Sequence, residues 1–572
     1  MSVLDSRRLT GPGLMLDGPG AVLDVRLEQP DTDRAIAAWQ KAATRLLQAV
    51  GWEDEKLASR PFAGGVSLAV SAPIDGLYAA TELNERAWAA AAAELRGEKV
   101  PDFRAAVASV LDEIKHEENP LLVHLWNEAR SRRLTFLSGE ELVSVGSGRA
   151  AMVWPAEALP EPGAVDWTGV RDVPITLVTG SNGKTTVVRL LAAMVEAGGE
   201  TTGVTSTDGV TVGATVLEEG DFAGPSGARM VLRHPQVQAA ILETARGGIL
   251  RRGLPVDRAE VAVITNVADD HLGEFGVESL AELADTKLLV TKALGDTGTL
   301  VLNADDPLLV ERSRHIKARI VWFSLDPASE VVAQHLKSGG TAVFADQGNI
   351  VLAEGKHRGT LAPVAEVPIT FKGTARHNIA NALAATAAGV ALDIEIGPLT
   401  RALRSFGRDL EDNPGRANLL ELGGARILLD FAHNPHGMSA LVAVAQTLPA
   451  ERRLVLVGQA GDRSDEAIRA LARVAWELQP EHVVVKDMEA YLRGRAPGEV
   501  PGLLADEFTR LGAPEESISR SGPEIAGVRR ALEWARPGDL LVLTVHQDRR
   551  AVLDLLDQLT AAEWRAGDPL PN

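Results

Sequence analysis

Thr179-Gly-Ser-Asn-Gly-Lys-Thr-Thr186 follows a β-branched, apolar run, Ile175-Thr-Leu-Val178, and leads into a helical pattern. Residues of these types at this spacing bind a polyphosphate. Glycines let the main chain curl against phosphate oxygens, a helix N-terminus adds partial positive charge, Lys184 bridges phosphates and Thr185 ligates Mg²⁺. The backbone amides of Gly180, Asn182, Gly183 and Thr186 belong to the same cradle. Position 178 is Val, where the common G-x-x-x-x-G-K-[ST] pattern has its first Gly.

Two further polar groups stand beyond strand-like runs. Ala239-Ala-Ile-Leu242 stops at Glu243, and Val261-Ala-Val-Ile-Thr265 stops at Asn266 with His271 a few residues on. Functional groups in open α/β sheets gather at the carboxyl ends of strands. A lone Glu at a strand end is often a solvated terminus, and a lone His near acids is often a packing residue. Placed after the phosphate loop in this order, the two read as parts of one magnesium-nucleotide constellation.

The elements that must position these groups are legible as alternation. From about Arg171 short β-branched runs alternate with helical segments, as a doubly wound α/β sheet requires. Between Ser324 and Phe371 the pattern turns hairpin-like and glycine-punctuated, which predicts an antiparallel insertion or edge. An Ala-rich helix starts at His377-Asn-Ile-Ala-Asn381. A second, Rossmann-like α/β unit begins near Pro414, with strands expected at 427–430, 454–457, 482–485 and 540–544 and no second phosphate loop. Ahead of all this, the first ~150 residues form an α+β domain of ordinary size. Its core stripes are Ile36, Trp39, Ala43, Leu46 and Val50, then Phe103, Val107, Val110, Leu111 and Ile114, at helical spacing. The Pro-rich stretch Trp154–Gly163 reads as a linker. The fold class is therefore multidomain α/β, with an N-terminal domain over 1–155, a central nucleotide domain over 156–410 and a C-terminal domain over 411–572.

Composition narrows the function. The chain has 572 residues, 45% of them apolar, and a mean hydropathy near zero, which suits a soluble globular protein of three or four domains. No signal-peptide pattern or membrane span is evident, so the expected location is the cytoplasm. With no cysteine there is no thiolate nucleophile and no zinc-thiolate site, and Mg²⁺ is the fitting metal. A net charge of −20 and 4% aromatic residues argue against nucleic acid and anionic membranes as partners. Oligomeric state is left open, a homo-oligomer being one alternative.

Taken together, Gly180–Thr186, Glu243, Asp270-His-Leu272, Lys287, Asn303-Ala-Asp-Asp306, His377-Asn378 with Asn381, Gly415-Arg416 and Asp430-Phe-Ala-His-Asn-Pro435 resemble the Mur ligase pattern. Leu242–Arg251 and Leu492–Glu499 are similar to the Mur-type half of the cyanophycin synthetases. The resemblance implies an ATP-dependent, ADP-forming carbon–nitrogen ligase that activates a carboxylate as an acyl phosphate and couples it to the amino group of an amino acid or small amine. It implies that Lys184 and the loop bind the β/γ-phosphates and that Thr185 and Glu243 hold one Mg²⁺. A second Mg²⁺ would lie at His271 with Lys287 carbamylated. His377, Asn378 and Asn381 would meet adenine, and Arg416 and Asp430 a phosphate and the ribose. Ser206, Thr207, Asp208, Arg229, Arg246 and His433 are the substrate-side candidates. For Arg229 a carboxylate clamp and a surface pair with an acid are equal alternatives.

Ser6–Leu14 and Leu134–Arg149 resemble the N-terminal part of the same synthetases, in which the second segment opens an ATP-grasp domain. Fewer than ~40 residues separate Arg149 from the phosphate loop, too few for another domain, so a single ATP site and a single-step ligation are expected. Two competing readings stand beside the ligase: a non-catalytic scaffold derived from cyanophycin synthetase, and a phosphotransferase to a hydroxyl.

Overall fold

The computed structural model describes residues 1–28, 31–269 and 272–571. Its centre is an eleven-stranded sheet. Seven strands run parallel in the order Thr202–Ser206, Ala239–Glu243, Ile175–Thr179, Ala259–Ile264, Leu294–Asn303, Arg319–Ser324 and Thr341–Asp346. Antiparallel pairs close both edges, Gly209–Val212 with Thr215–Glu219 on one side and Asn349–Glu354 with His357–Pro363 on the other.

The near-continuous apolar runs follow from burial on both faces. Val178, Ile241, Val263, Val301 and Phe323 face one core with the helices Lys184–Ala197, Arg376–Ala391 and Ile396–Ser405. Their neighbours Leu177, Leu242, Ile264, Leu302 and Trp322 face the other, covered in part by the helices Pro225–Leu232 and Arg246–Arg252. The phosphate-loop strand lies between Ala239–Glu243 and Ala259–Ile264, so Glu243, the loop and Asn266 emerge side by side at one end of the sheet.

The C-terminal sheet has six strands, with Asn418–Leu422 antiparallel at one edge. Parallel strands follow in the order Ala425–Asp430, Leu540–Thr544, Arg453–Val457, His482–Lys486 and Ile518–Ser521. The N-terminal region is a four-stranded antiparallel sheet under the helices Thr32–Val50 and Leu77–Arg96. Trp39 donates from Nε1 to Asn84 Oδ1 at 2.8 Å, and Asn84 donates to the Leu68 carbonyl at 2.9 Å, so the polar edge of the buried indole has a partner that is itself anchored.

Several expectations change. In the helix Phe103–Glu117 only Val110 is buried; Phe103 and Leu111 are exposed, and Arg45 stacks over the Phe103 ring at 4.5 Å. The linker is a packed segment, because Met152–Pro155 pairs with Leu142–Val145 and Trp154, Val165, Trp167 and Val170 share a core with Leu125 and Val145. The stretch after Ser324 holds the helix Glu330–Lys337 and a parallel strand before its hairpin begins.

One buried ion pair organises the C-terminal sheet. Lys486 and Glu524 pair with no exposed side-chain surface, and Lys486 Nζ also donates to the Thr544 carbonyl at 2.5 Å. The Glu524 carboxylate accepts from the backbone N–H groups of His546, Gln547 and Asp548, which fixes the turn after the strand Leu540–Thr544. Glu524→Gln removes the counter-charge of a buried ammonium and is expected to lower unfolding free energy by about 3–5 kcal/mol. Chemical denaturation reads this directly; a midpoint equal to the wild type would mean the pair does not hold the sheet.

Candidate active site

Gly180 and Gly183 are demanded by their surroundings. A Cβ on Gly180 would stand 1.8 Å from Thr265 Oγ1, and one on Gly183 2.1 Å from Asn381 Oδ1, with φ at +148° and +84°. The loop is pinned from the next strand's end: Thr265 Oγ1 and Asn266 Nδ2 donate to the Asn182 carbonyl at 2.6 and 3.0 Å, and Asn266 Oδ1 accepts from the Asn182 N–H. The Lys184 ammonium lies over the loop, donating to the carbonyls of Gly180 and Ser181 at 3.1 and 3.2 Å.

Thr185 Oγ1 donates to Glu243 Oε2 at 2.7 Å, and both residues are buried. The other carboxylate oxygen, Oε1, is buried without a hydrogen-bond partner among the described residues. Burial raises the carboxyl's pKa, and the Lys184 charge opposes that shift. A hydroxyl beside a carboxylate with an unused oxygen is a hard-oxygen donor set that fits Mg²⁺ completed by phosphate oxygens. Among the described residues no three His, Asp or Glu side chains form a metal cluster. His271, expected at a second ion, lies outside the described residues. Lys287 is 2% exposed near the end of the helix Leu280–Leu288, and so is not a surface lysine.

The C-terminal sheet reaches the same loop. Asn434 caps the helix Pro435–Thr447 through Gly437 N–H and donates from Nδ2 to Asn182 Oδ1 at 3.0 Å. Asn182 Nδ2 then faces His436 Nδ1 at 3.0 Å, which makes Nδ1 the acceptor and places the ring proton on Nε2. Asn413 Nδ2 meets Thr186 Oγ1 at 3.3 Å. Arg416 donates to Thr207 Oγ1 at 2.9 Å and to Asp208 at 3.1 Å, and it stacks over Phe431. Asp430 accepts from the Ala417 N–H at 2.8 Å, and burial pushes its carboxyl up to about 6. Burial opposes ionisation of Asp208 as well, yet Arg416, Arg549 and Arg189 hold it well below the usual carboxylate range.

The candidates for adenine divide. Burial, helped by the charge of nearby His436, pushes the His377 ring down to about 4. Asn378, 3% exposed, donates to the Ile369 carbonyl at 2.9 Å and accepts from Asn381 Nδ2 at 3.0 Å. Both ends of its amide are thus engaged within the protein, which makes it an anchor of the helix that abuts Gly183. On the substrate side, Ser206, Thr207 and Asp208 lie along the cleft between the sheets, as do Arg229, Arg246 and His433. Arg246 is buried and pairs with Glu274 at 2.5 Å. Arg229 is half-buried beside Arg252, and no acid pairs with it among the described residues. The cleft measures about 2700 Å³ and extends to Arg8 and Tyr78 of the N-terminal domain.

Sequence reasoning missed Arg189, Asn413, His436 and Arg549 as site residues, and it gave Asn434 only inside the string Asp430–Pro435 with no role of its own. Asn434 alone carried a usable signal, since Asn followed by Pro marks a helix cap and its first turn.

The region that carries this geometry matches known families. Residues 178–389 match the Mur ligase middle domain and residues 415–545 the Mur ligase, glutamate ligase domain. Cyanophycin synthetase of Trichormus variabilis is 36% identical over 380 residues, 66% of this chain and 42% of that protein. The Crocosphaera subtropica cyanophycin synthetase is 39% identical over 382 residues, 66% of this chain and 43% of that protein. The chain thus spans less than half the length of these two relatives. UDP-N-acetylmuramate–L-alanine ligase of Xylella fastidiosa is 27% identical over 78% of this chain and 82% of its own. The part of the chain that carries the phosphate loop, Glu243, Arg416 and Asp430 belongs to the Mur ligase family.

Proposed function

We propose that the chain is an ATP-dependent, ADP-forming amide ligase that joins the amino group of an amino acid or small amine to an acceptor carboxylate. The observation that carries this reading is Thr185 bonded to Glu243 Oε2 beside the loop that holds Lys184, with Glu243 Oε1 left buried without a hydrogen-bond partner among the described residues, while Asn434 and Arg416 of the second sheet reach Asn182 and Thr207 next to it. The name of one relative, UDP-N-acetylmuramate–L-alanine ligase, couples an acid with an amino acid, which supports a carboxylate and an amine as substrates.

The acceptor carboxylate oxygen attacks the γ-phosphorus and the bond to the β-phosphate oxygen breaks, which releases ADP. The amine nitrogen then attacks the carbonyl carbon of the acyl phosphate; the bond to the phosphate oxygen breaks, and the amine's surplus proton passes to solvent. No protein nucleophile is required. Lys184 and the loop amides stabilise charge on the transferring oxygens, and closure of the second sheet excludes water. Thr185 and Glu243 would hold Mg²⁺, which neutralises phosphate charge when bound. A second ion would sit with His271 and a carbamylated Lys287. His377 would meet adenine as a neutral ring.

Lys184→Ala is expected to abolish turnover and leave the melting temperature unchanged, because it opens no core cavity. Purified protein incubated with ATP, Mg²⁺, amino acids and small acidic peptides should yield ADP, phosphate and ligated product one for one by mass spectrometry. The mass gained should equal one amine minus water. Phosphate transfer to a hydroxyl without amide formation would replace the ligase with a phosphotransferase. Lys287→Ala should lose more activity than Lys287→Glu, whose carboxylate imitates a carbamate; equal, full activity of both would remove Lys287 from the site.

A pH prediction follows from His377. Unfolded, it titrates near ~6.5; folded, it is held at about 4. Between those values the unfolded chain binds the extra proton, so wild-type stability falls as pH drops through that window. His377→Gln should lose this part of the acid slope in melting temperature. Parallel curves for the two proteins would assign the slope elsewhere.

A further inference from the structure

Asp208 lies just after the strand Thr202–Ser206, its side chain 4% exposed, and three guanidinium groups reach it. Arg549 stands at 2.5 Å, Arg416 at 3.1 Å and Arg189 at 3.3 Å. They come from three elements. Arg189 rides the phosphate-loop helix just over a turn beyond Lys184, Arg416 precedes the edge strand Asn418–Leu422, and Arg549 opens the helix Arg549–Ala561. Among the described residues no other carboxylate lies within 4.0 Å of any of the three.

One carboxylate cannot neutralise three guanidinium groups. Glu243 and Asp430 act on Arg416 through space without hydrogen-bonding to it, Glu243 being bonded to Thr185 and Asp430 to the Ala417 N–H, and neither pairs with Arg189 or Arg549. The side chains of the arginines are 15–23% exposed, so solvent screens them only in part. Hydrogen bonding is incomplete as well: the Nε atoms of Arg189 and Arg416 and Oδ2 of Asp208 are buried without hydrogen-bond partners among the described residues. A buried cluster with surplus positive charge and unused donors is unfavourable unless an anion joins it. Its position names the anion, since Thr207, the neighbour of Asp208, lies 3.3 Å from Thr185 Oγ1 and 2.9 Å from Arg416. The pocket therefore borders the metal-and-phosphate end of the loop.

We propose that Arg189 and Arg549 join Arg416 in a three-guanidinium pocket for the tetrahedral phosphoryl oxyanion that leaves ATP, with Asp208 as its internal counter-ion, a role that rests on the ligase reading above. Planar guanidinium forks suit phosphate oxygens better than ammonium groups do. Because Arg416 and Arg549 arrive with the C-terminal sheet, the anion is gripped only in the closed arrangement. Asp208 holds that arrangement together before the anion enters.

The test is equilibrium dialysis of the full chain, saturated with Mg·ADP, against radiolabelled inorganic phosphate. Arg549→Gln is expected to weaken phosphate binding by about tenfold or more while ADP affinity stays within about twofold, and Arg549→Lys should recover part of the loss. Asp208→Asn breaks the same interdomain contact yet frees the guanidinium groups, so it should bind phosphate at least as tightly as the wild type. If Asp208→Asn and Arg549→Gln lose phosphate alike, the arginines serve only to latch the domains and the pocket is refuted. An unchanged Arg549→Gln, or no saturable phosphate binding by a wild type that does bind Mg·ADP, refutes it too. A wild type that does not bind Mg·ADP at all would instead bring down the ligase reading.

Discussion

The Asn182 peptide is the constraint on which the site depends. Its carbonyl receives two hydrogen bonds from Thr265 and Asn266, and its N–H is taken by Asn266 Oδ1. Ser181 extends the same seam, exchanging hydrogen bonds with the backbone of Ala268 through its hydroxyl. These contacts spend the loop's inward groups on the neighbouring strand's exit, so the remaining amides at the start of the helix Lys184–Ala197 are the ones left for an anion. The Asn182 side chain then points the other way, to Asn434 and His436. One residue thus reads the position of two separate sheets.

The second sheet meets this loop through a chain of contacts that begins at its buried ion pair. Lys486 can only donate, so His546 Nδ1, 3.3 Å away, must accept, and the proton sits on Nε2 facing the Ala432 carbonyl at 3.2 Å. Burial lowers the pKa of this ring, in keeping with a neutral imidazole that has both nitrogens engaged. Phe431 packs edge-on against His546 at 5.2 Å, and the Arg416 guanidinium lies over the Phe431 face at 4.9 Å. The orientation of Arg416 is therefore supported by the Phe431 face, which His546 and the buried pair behind it hold in turn. A side chain with this many rotatable bonds needs such a support to hold one direction.

Much of this was legible in the chain and some of it was not. The parallel strands were visible because β-branched runs buried on both faces leave no polar alternation, and the phosphate loop and Glu243 follow from where such strands end. Local periodicity misjudged Phe103 and Leu111, whose helical spacing is right but whose face of the helix is left open to solvent. It also misread the Pro-rich segment, since the pairing of Trp154 with Val143 is a tertiary contact that composition does not encode. Arg189 and Arg549 were invisible for a different reason. Nothing local distinguishes them from solvated arginines; they matter because Asp208, 19 residues from one and 341 from the other, ends up between them. Long-range charge convergence of this kind has no sequence period to detect.

The N-terminal sheet is bonded to the chain that walls the cleft. Arg60 donates to the carbonyls of Phe275 and Gly276 and to Glu282, and the Ala63 N–H donates to Glu278. Glu282 also closes the capping box on Ser279 that starts the helix bearing Lys287. Arg7 reaches the Leu250 carbonyl and lies over the Phe275 ring at 5.2 Å, while Lys292 donates to the Gly13 carbonyl and Asp17. Each of these bonds crosses from the first sheet to the stretch between Glu243 and Lys287 or just beyond it. The turn at 273–276, with Gly273, Phe275 and Gly276 at positive φ, presents the Phe275 and Gly276 carbonyls that Arg60 takes up. Docking the first sheet thus anchors this wall of the cleft, and Arg60, through Glu282, ties the start of the helix that carries Lys287 to the N-terminal sheet.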